Sequence, residues 1–237
     1  MNLMLMNISS FFKSGAAALL LSSGLASATG MVPETSVVIV DQGDGEGAIN
    51  IKNTDAFPVM LLTTLENIPE DKEHLLTITP PAARVEPGKN QRVRFMFTSA
   101  TPLRTERLER VVFEGIPPQL KDKNEVRFTV RQNLPVLIRP AGLPADASPW
   151  KHLTWKKQGD ALVVSNNSPY VVRLAQEVET RPDNIMWKLP GSYVLPGQTL
   201  TLTTVNGKKP GVAKQVHISP ATTWGYAVNT YDAPLAS

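Results

Sequence analysis

The chain has 237 residues, a formal charge of +3 and no cysteine. That length holds one large domain or two smaller ones and can bury real cores without disulfide staples; the missing cysteines exclude thiol catalysis, thiolate zinc sites and redox switching. The charge is mild and the basic residues are dispersed, so nucleic acid is not implied as a partner.

Residues 1–28 read as a secretory signal. Lys13 precedes the apolar run Gly15-Ala16-Ala17-Ala18-Leu19-Leu20-Leu21, and Ala26-Ser27-Ala28 offers small side chains to a signal peptidase. The run is shorter than the roughly 20 residues that span a bilayer. A short N-terminal anchor is the alternative. No other stretch has the length and apolarity to cross, so no membrane insertion is expected of the mature chain.

Short β-patterned runs follow, broken by proline and glycine. Val37–Val40 and Gly47–Ile51 flank the turn-rich Asp41-Gln42-Gly43-Asp44-Gly45 and read as a strand pair. That loop has some calcium-loop character, but Lys52 stands where a bidentate glutamate is needed, so a hairpin turn is expected and no metal. Val59–Leu65 is a strand, Arg84-Val85-Glu86-Pro87-Gly88 a turn, and Gln91–Phe97 alternates polar and apolar as a half-buried strand does. The clearest alternation is Glu125–Arg131, with Val126, Phe128 and Val130 on one face and Arg127, Thr129 and Arg131 on the other. It runs on through Leu134 to Arg139. Taken alone, this alternation also fits a strand packed into its own domain's core.

Three prolines between Pro140 and Pro149 end the sheet and stiffen a crossover. The β pattern restarts at Trp150, with strands expected at Leu162–Ser165, Tyr170–Leu174, Thr199–Leu202 and Tyr226–Asn229, and turns at Asn166–Pro169 and Leu195–Gln198. No internal repeat is evident. Trp150, Trp155, Trp187 and Trp224 are expected in the second core, with one of them free to line a cleft. His74, His152 and His217 lack neighbours at ligand spacing and read as surface or packing residues. The fold class is all-β, two sandwiches: a first domain over 29–140, a linker over 141–149 and a second domain over 150–237.

Thr79-Pro80-Pro81, Arg84-Val85-Glu86-Pro87-Gly88, Ile116-Pro117-Pro118, Asn124 and Arg139-Pro140 occur in an order and spacing that resemble the periplasmic pilus (fimbrial) chaperones of the chaperone–usher pathway. Asn166-Asn167-Ser168-Pro169-Tyr170 is similar to a second-domain segment of that family, and the likeness covers nearly the whole mature chain. Seven residues between Pro118 and Val126, with no cysteine, resemble its short-loop class. The resemblance implies two immunoglobulin-like domains in an L or boomerang arrangement, no catalysis and no cofactor. It implies pilus subunits and the outer-membrane usher as partners, with a self-capping homodimer as a further option. It implies donor-strand complementation, the strand Asn124–Leu134 lending Val126, Phe128, Val130 and Leu134 to an incomplete subunit.

The family holds the subunit's terminal carboxylate with an arginine and a lysine, and the matching positions here are Val37 and Pro135, neither basic. Arg131, which shares the parity of residue 135, and Lys52 are the candidate substitutes, although solvated surface charge is the stronger reading of either. By the same resemblance Glu106 and Arg139 form an interdomain salt-bridge set with Asp232 as third member, and this chain reads as divergent or accessory within the family. A β-sandwich carbohydrate hydrolase would need paired carboxylates in a cleft, which the sequence does not offer. A pilus structural or adhesive subunit would need its own N-terminal donor extension.

Overall fold

The computed structural model describes residues 30–119, 129–205 and 207–236. The first domain holds β1 (Met31–Pro33), β2 (Val38–Asp41), β3 (Glu46–Asn53), β4 (Val59–Asn67), β5 (Leu76–Thr79), β6 (Ala82–Val85), β7 (Asn90–Phe97), β8 (Arg107–Ile116) and β9 (Arg131–Arg139). Their ladder runs β5-β7-β3-β2-β9-β8-β4-β6, with β1 on β3. The link between β2 and β3 is only the hairpin pair Asp41↔Glu46; beyond it β2 leaves β3 and lies parallel to β9, Val38↔Val136 through Asp41↔Arg139. The path therefore folds into two layers. Ile49, Ile51, Val93 and Phe95 from one meet Val111, Phe113, Val136 and Ile138 from the other in one core.

The turn is the expected hairpin: Gly43 N–H donates to Asp41 Oδ1 at 2.8 Å and Gly45 takes φ +72. Gly47 permits the crossing. A Cβ there would stand 2.2 Å from the Ile39 carbonyl oxygen, closer than any side chain tolerates.

The second domain follows a single 3-10 turn at Pro149–His152, with β10 (Leu153–Gln158), β11 (Ala161–Asn166), β12 (Val172–Leu174), β13 (Glu177–Arg181), β14 (Ile185–Lys188), β15 (Tyr193–Val194), β16 (Thr199–Thr204), β17 (Gln215–Ile218), β18 (Pro220–Ala221) and β19 (Tyr231–Ala236). Here the ladder β10-β11-β16-β14-β13-β17-β19 closes on itself, and β15-β12-β18 form a smaller sheet. Trp150, Trp155 and Trp187 lie in its core as expected. Trp224 does not: it is 47% exposed. The strand expected at Tyr226–Asn229 is also absent, leaving one bridge, Ala221↔Ala227. Gly225 takes φ +84 and donates to the Thr222 carbonyl, so a turn uses this stretch.

Although no repeat shows in sequence, both domains are fastened by one device. Asn53, fully buried, donates from Nδ2 to the carbonyls of Phe57 (2.9 Å) and Val85 (2.8 Å) and accepts from Asp55 N–H (2.9 Å). Asn166, equally buried, donates to Tyr170 (2.8 Å) and Val194 (3.0 Å) and accepts from Ser168 N–H (3.1 Å). Each asparagine's carbonyl also accepts from the glycine of a Pro-Gly turn, Gly88 at 2.9 Å and Gly197 at 2.7 Å, both at positive φ. A buried amide with its bonds satisfied fixes one geometry, because the alternatives leave carbonyls unpaired in low dielectric.

Candidate functional site

β9 is paired along its whole length on one side only. Toward β8 the register runs Glu114↔Arg131 to Arg107↔Ile138, whereas β2 begins opposite Val136. From Arg131 to Pro135 the other edge has no strand beside it among the described residues. Gly115 N–H donates to the Val130 carbonyl, so strand alternation turns the N–H and C=O of Gln132 and Leu134 toward β8 and those of Arg131 and Asn133 away from it. Pro135 has this outward parity too. The donor it lacks would not have served the β8 ladder, which explains a proline within the strand.

Side chains alternate likewise. Leu134 packs partly buried against the first domain's core, followed by Val136 and Ile138 within it, while Val130 on the same parity stands 47% exposed past the core's end. Val126 and Phe128 lie outside the described residues, as does most of the loop before them. The apolar stripe thus continues one domain's core face outward, and Leu134 belongs to its own core as well as to the expected donor set.

The expected substitute cations are placed apart. Arg131 pairs with Glu66 at 2.9 Å, and it sits eight residues from Arg139, about 26 Å along a strand, at the end of β9 remote from the second domain. Lys52 is exposed on β3, opposite Val32 and Asn90. Val37 is buried in an apolar cluster with Ile68, Leu108, Leu137 and Val171 that spans both domains.

The interdomain set forms in part. Arg139 Nε lies 3.5 Å from Glu106 Oε1, and Glu106 is 3% exposed. The second Glu106 oxygen accepts from Val171 N–H at 2.8 Å, and Glu106 N–H donates to the Pro169 carbonyl at 2.8 Å. Glu106 thereby ties the start of β8 and the end of β9 to Pro169 and Val171 of the second domain. Burial pushes its carboxyl above the usual range, against the Val171 bond and the Arg139 charge. Asp232 is no third member. It faces outward on β19, where its carboxylate meets His217 Nδ1 at 2.6 Å and Arg181 at 3.5 Å. His152 likewise finds Asp146 at 2.7 Å and stacks on Tyr170. Two of the three histidines thus have carboxylate partners that linear spacing did not show.

Sequence reasoning passed over three charged residues inside apolar runs. Glu109 is buried and accepts from Leu75 N–H at 3.1 Å, and burial raises its carboxyl to about 7. Arg110 stands directly opposite Pro135 on β8 and holds Asn133 through its side-chain and backbone oxygens, at 2.6 and 2.8 Å. Arg173, on β12, keeps Nη1 buried with no hydrogen-bond acceptor among the described residues. The available signal was an adjacent pair of charges in Leu108-Glu109-Arg110-Val111 and a lone charge in Val171-Val172-Arg173-Leu174.

Residues 30–144 match the N-terminal domain, and residues 148–231 the C-terminal domain, of the PapD pili and flagellar-assembly chaperones. A fimbrial chaperone of Escherichia coli K12, YhcA, is 44% identical over 209 residues, 88% of this chain and 92% of its own. Among solved structures, the Salmonella enterica SafB chaperone with the SafA pilin superposes at TM-score 0.71 with 18% identity, over 88% of this chain and 98% of that one. The Pseudomonas aeruginosa CupB2 chaperone does so at 0.69 with 23% identity, over 86% and 100%. These are two-domain immunoglobulin-like proteins that act in periplasmic pilus assembly and are not enzymes. With both domains matched in order, the chain belongs to the pilus-assembly chaperone family.

Proposed function

We propose that this chaperone holds an incomplete pilus subunit by adding the open edge of β9, and the residues leading into it, to the subunit's sheet. The observation that carries the proposal is the one-sided pairing of Arg131–Pro135. An unpaired edge with an apolar face is the surface that β-augmentation uses: main-chain bonds supply affinity, and alternate side chains entering pockets set the register. Val126, Phe128 and Val130 fill the groove, and Leu134 carries the stripe back into the chaperone's own core.

The same reading carries an order of events, the signal lying outside the described residues. Residues 1–28 serve as a cleavable signal for export to the periplasm. Domain one spans 29–140 and domain two 150–237, joined by 141–149 and oriented by the Glu106–Arg139 tie. A bound subunit leaves the edge when the outer-membrane usher swaps in another subunit's N-terminal extension; without a subunit, the same edge pairs with a second copy of the chaperone.

Co-expression with the pilins encoded beside it tests this. A soluble one-to-one complex should be recovered, and Phe128→Glu should abolish it while far-UV circular dichroism stays unchanged. A complex that survives Phe128→Glu at wild-type yield rejects the donor role.

A further inference from the structure

The second domain meets the first at one end of its barrel and leaves the other end clear. Leu153 and Asn166 pair at the near end, beside the Pro169 and Val171 bonds to Glu106. The registers Gln158↔Ala161, Trp187↔Thr204, Thr180↔Ile185 and Arg181↔Gln215 gather the far ends of the strands, with the loop between β16 and β17, at the opposite end.

Lysines that are dispersed in sequence converge there. Lys156 and Lys157 lie near the end of β10, Lys208 and Lys209 in the loop before β17, and Lys214 immediately before that strand; all five are exposed. The nearby acids are mostly occupied. Asp183 accepts from Gly211 N–H at 2.9 Å, and Glu179 and Asp232 pair with Arg181 and His217. Asp160, in the turn after β10, is the remaining acid of this end.

Apolar side chains stand among these charges. Val212 is 80% exposed, more than any other large hydrophobic side chain among the described residues, and Val205 is 44% exposed. The loop that presents Val212 is fastened beside it: Gly211 donates to Asp183, and its carbonyl accepts from Lys157 Nζ at 2.6 Å. A valine held in water forgoes the gain that its burial would return. Held outward among five ammonium groups, it suits a surface that is apolar just beneath a layer of negative charge. An anionic bilayer is such a surface, with phosphates to attract the lysines and an acyl boundary within reach of short apolar tips. An acidic protein face would answer the lysines but not the valines.

We propose that the free end of the second domain docks on an anionic phospholipid surface, its lysines facing the headgroups and Val205 and Val212 entering the interface. The contact is peripheral and reversible, since two valines bury little area. It leaves the open edge of β9, in the other domain, uncovered. The inference stands on the second domain alone and goes beyond the open-edge reading.

Flotation of the purified protein with vesicles of phosphatidylethanolamine and phosphatidylglycerol, against phosphatidylcholine alone, tests this. The anionic vesicles should carry the protein, less so as salt rises, and the neutral ones should not. Lys208→Gln combined with Lys209→Gln should weaken partition about thirtyfold, and Val212→Ser about threefold. Lys89→Gln, which removes an exposed charge from the first domain, should leave it unchanged. Because the chain has no cysteine, Val212→Cys accepts a single nitrobenzoxadiazole label, whose emission should shift to the blue on anionic vesicles; the same label on Lys89→Cys should not shift. No flotation, a loss in Lys89→Gln equal to that of the double variant, or a label at 212 that stays in water while the protein floats would each overturn the proposal. Retention on heparin with no partition onto vesicles would overturn it too, and would assign the lysines to a soluble acidic partner.

Discussion

The two domains fasten themselves with the same buried asparagine and Pro-Gly turn, yet they finish their sheets in opposite ways. In the second domain β19 closes the ladder on β10, leaving that barrel without an edge there. In the first, β2 covers β9 only from Val136 onward, and the stretch before it stays open. An open apolar edge is an aggregation hazard that proteins usually blunt. Here a rigid frame supports it, with Asn53 fixing one layer and the Glu106 contacts bracing β8 and β9 against the second domain. The second domain supplies a closed support; the first supplies the reactive edge.

The largest expected effect breaks the shared device. Asn53→Ala or Asn166→Ala strips two buried carbonyls of their donor and should cost about 3 kcal/mol in the domain concerned. All four tryptophans lie in the second domain, so Asn166→Ala should shift the urea transition followed by tryptophan fluorescence. Asn53→Ala should shift only the part followed by circular dichroism. If either variant moves both signals together, the domains unfold as one unit and the comparison loses its independence.

Glu109 separates the domains by pH. Its carboxyl titrates near 7 in the folded protein, against an ordinary value near 4.5, because burial disfavours its charge. The folded state therefore binds the proton more tightly, and the stabilisation present below about pH 4.5 is lost as pH rises through about 7. Glu109→Gln should remove this dependence and stabilise the first domain at pH 8 by about 2 kcal/mol, measured by denaturant unfolding at pH 5 and 8. A slope unchanged in Glu109→Gln would assign it to another group.

Gly47→Ala addresses the crossing where β2 parts from β3. The new Cβ meets the Ile39 carbonyl oxygen, so the backbone must shift, at a cost of about 2 kcal/mol and with altered placement of the β9 edge. A melting temperature within a degree of wild type would show that the crossing yields freely. The smallest effect belongs to Arg131→Ala. Its pair with Glu66 is exposed, and its loss should cost under about 1 kcal/mol and leave subunit affinity within about twofold by the same reasoning. A tenfold loss of affinity would make Arg131 the anchor.

Much of the fold was legible where one strand face is wet. β4, β7, β11 and β16 show period-two alternation because each has an outward face. β8 did not stand out: Leu108 enters the interdomain cluster while Val111 and Phe113 enter the core, so both faces are buried and the alternation vanishes. The Glu106–Arg139 pair was recognisable from its motif, but Asp232 was not correctly placed by counting, since its partners depend on the β17–β19 register. Arg110 and Arg173 were hidden for a different reason. One is placed by a strand pairing and the other by the domain contact; linear spacing encodes neither.

The central claim, that the outward edge of β9 is the binding strand, is tested most directly by residue-resolved amide hydrogen exchange on the free chaperone and on its subunit complex. In the free protein the outward amides of Arg131 and Asn133 should exchange faster than those of Gln132 and Leu134, which face β8. In the complex Arg131 and Asn133 should become protected while Gln132 and Leu134 change little. Fast exchange at Arg131 and Asn133 in a stoichiometric complex would contradict the account, because the subunit would then be held somewhere other than this edge.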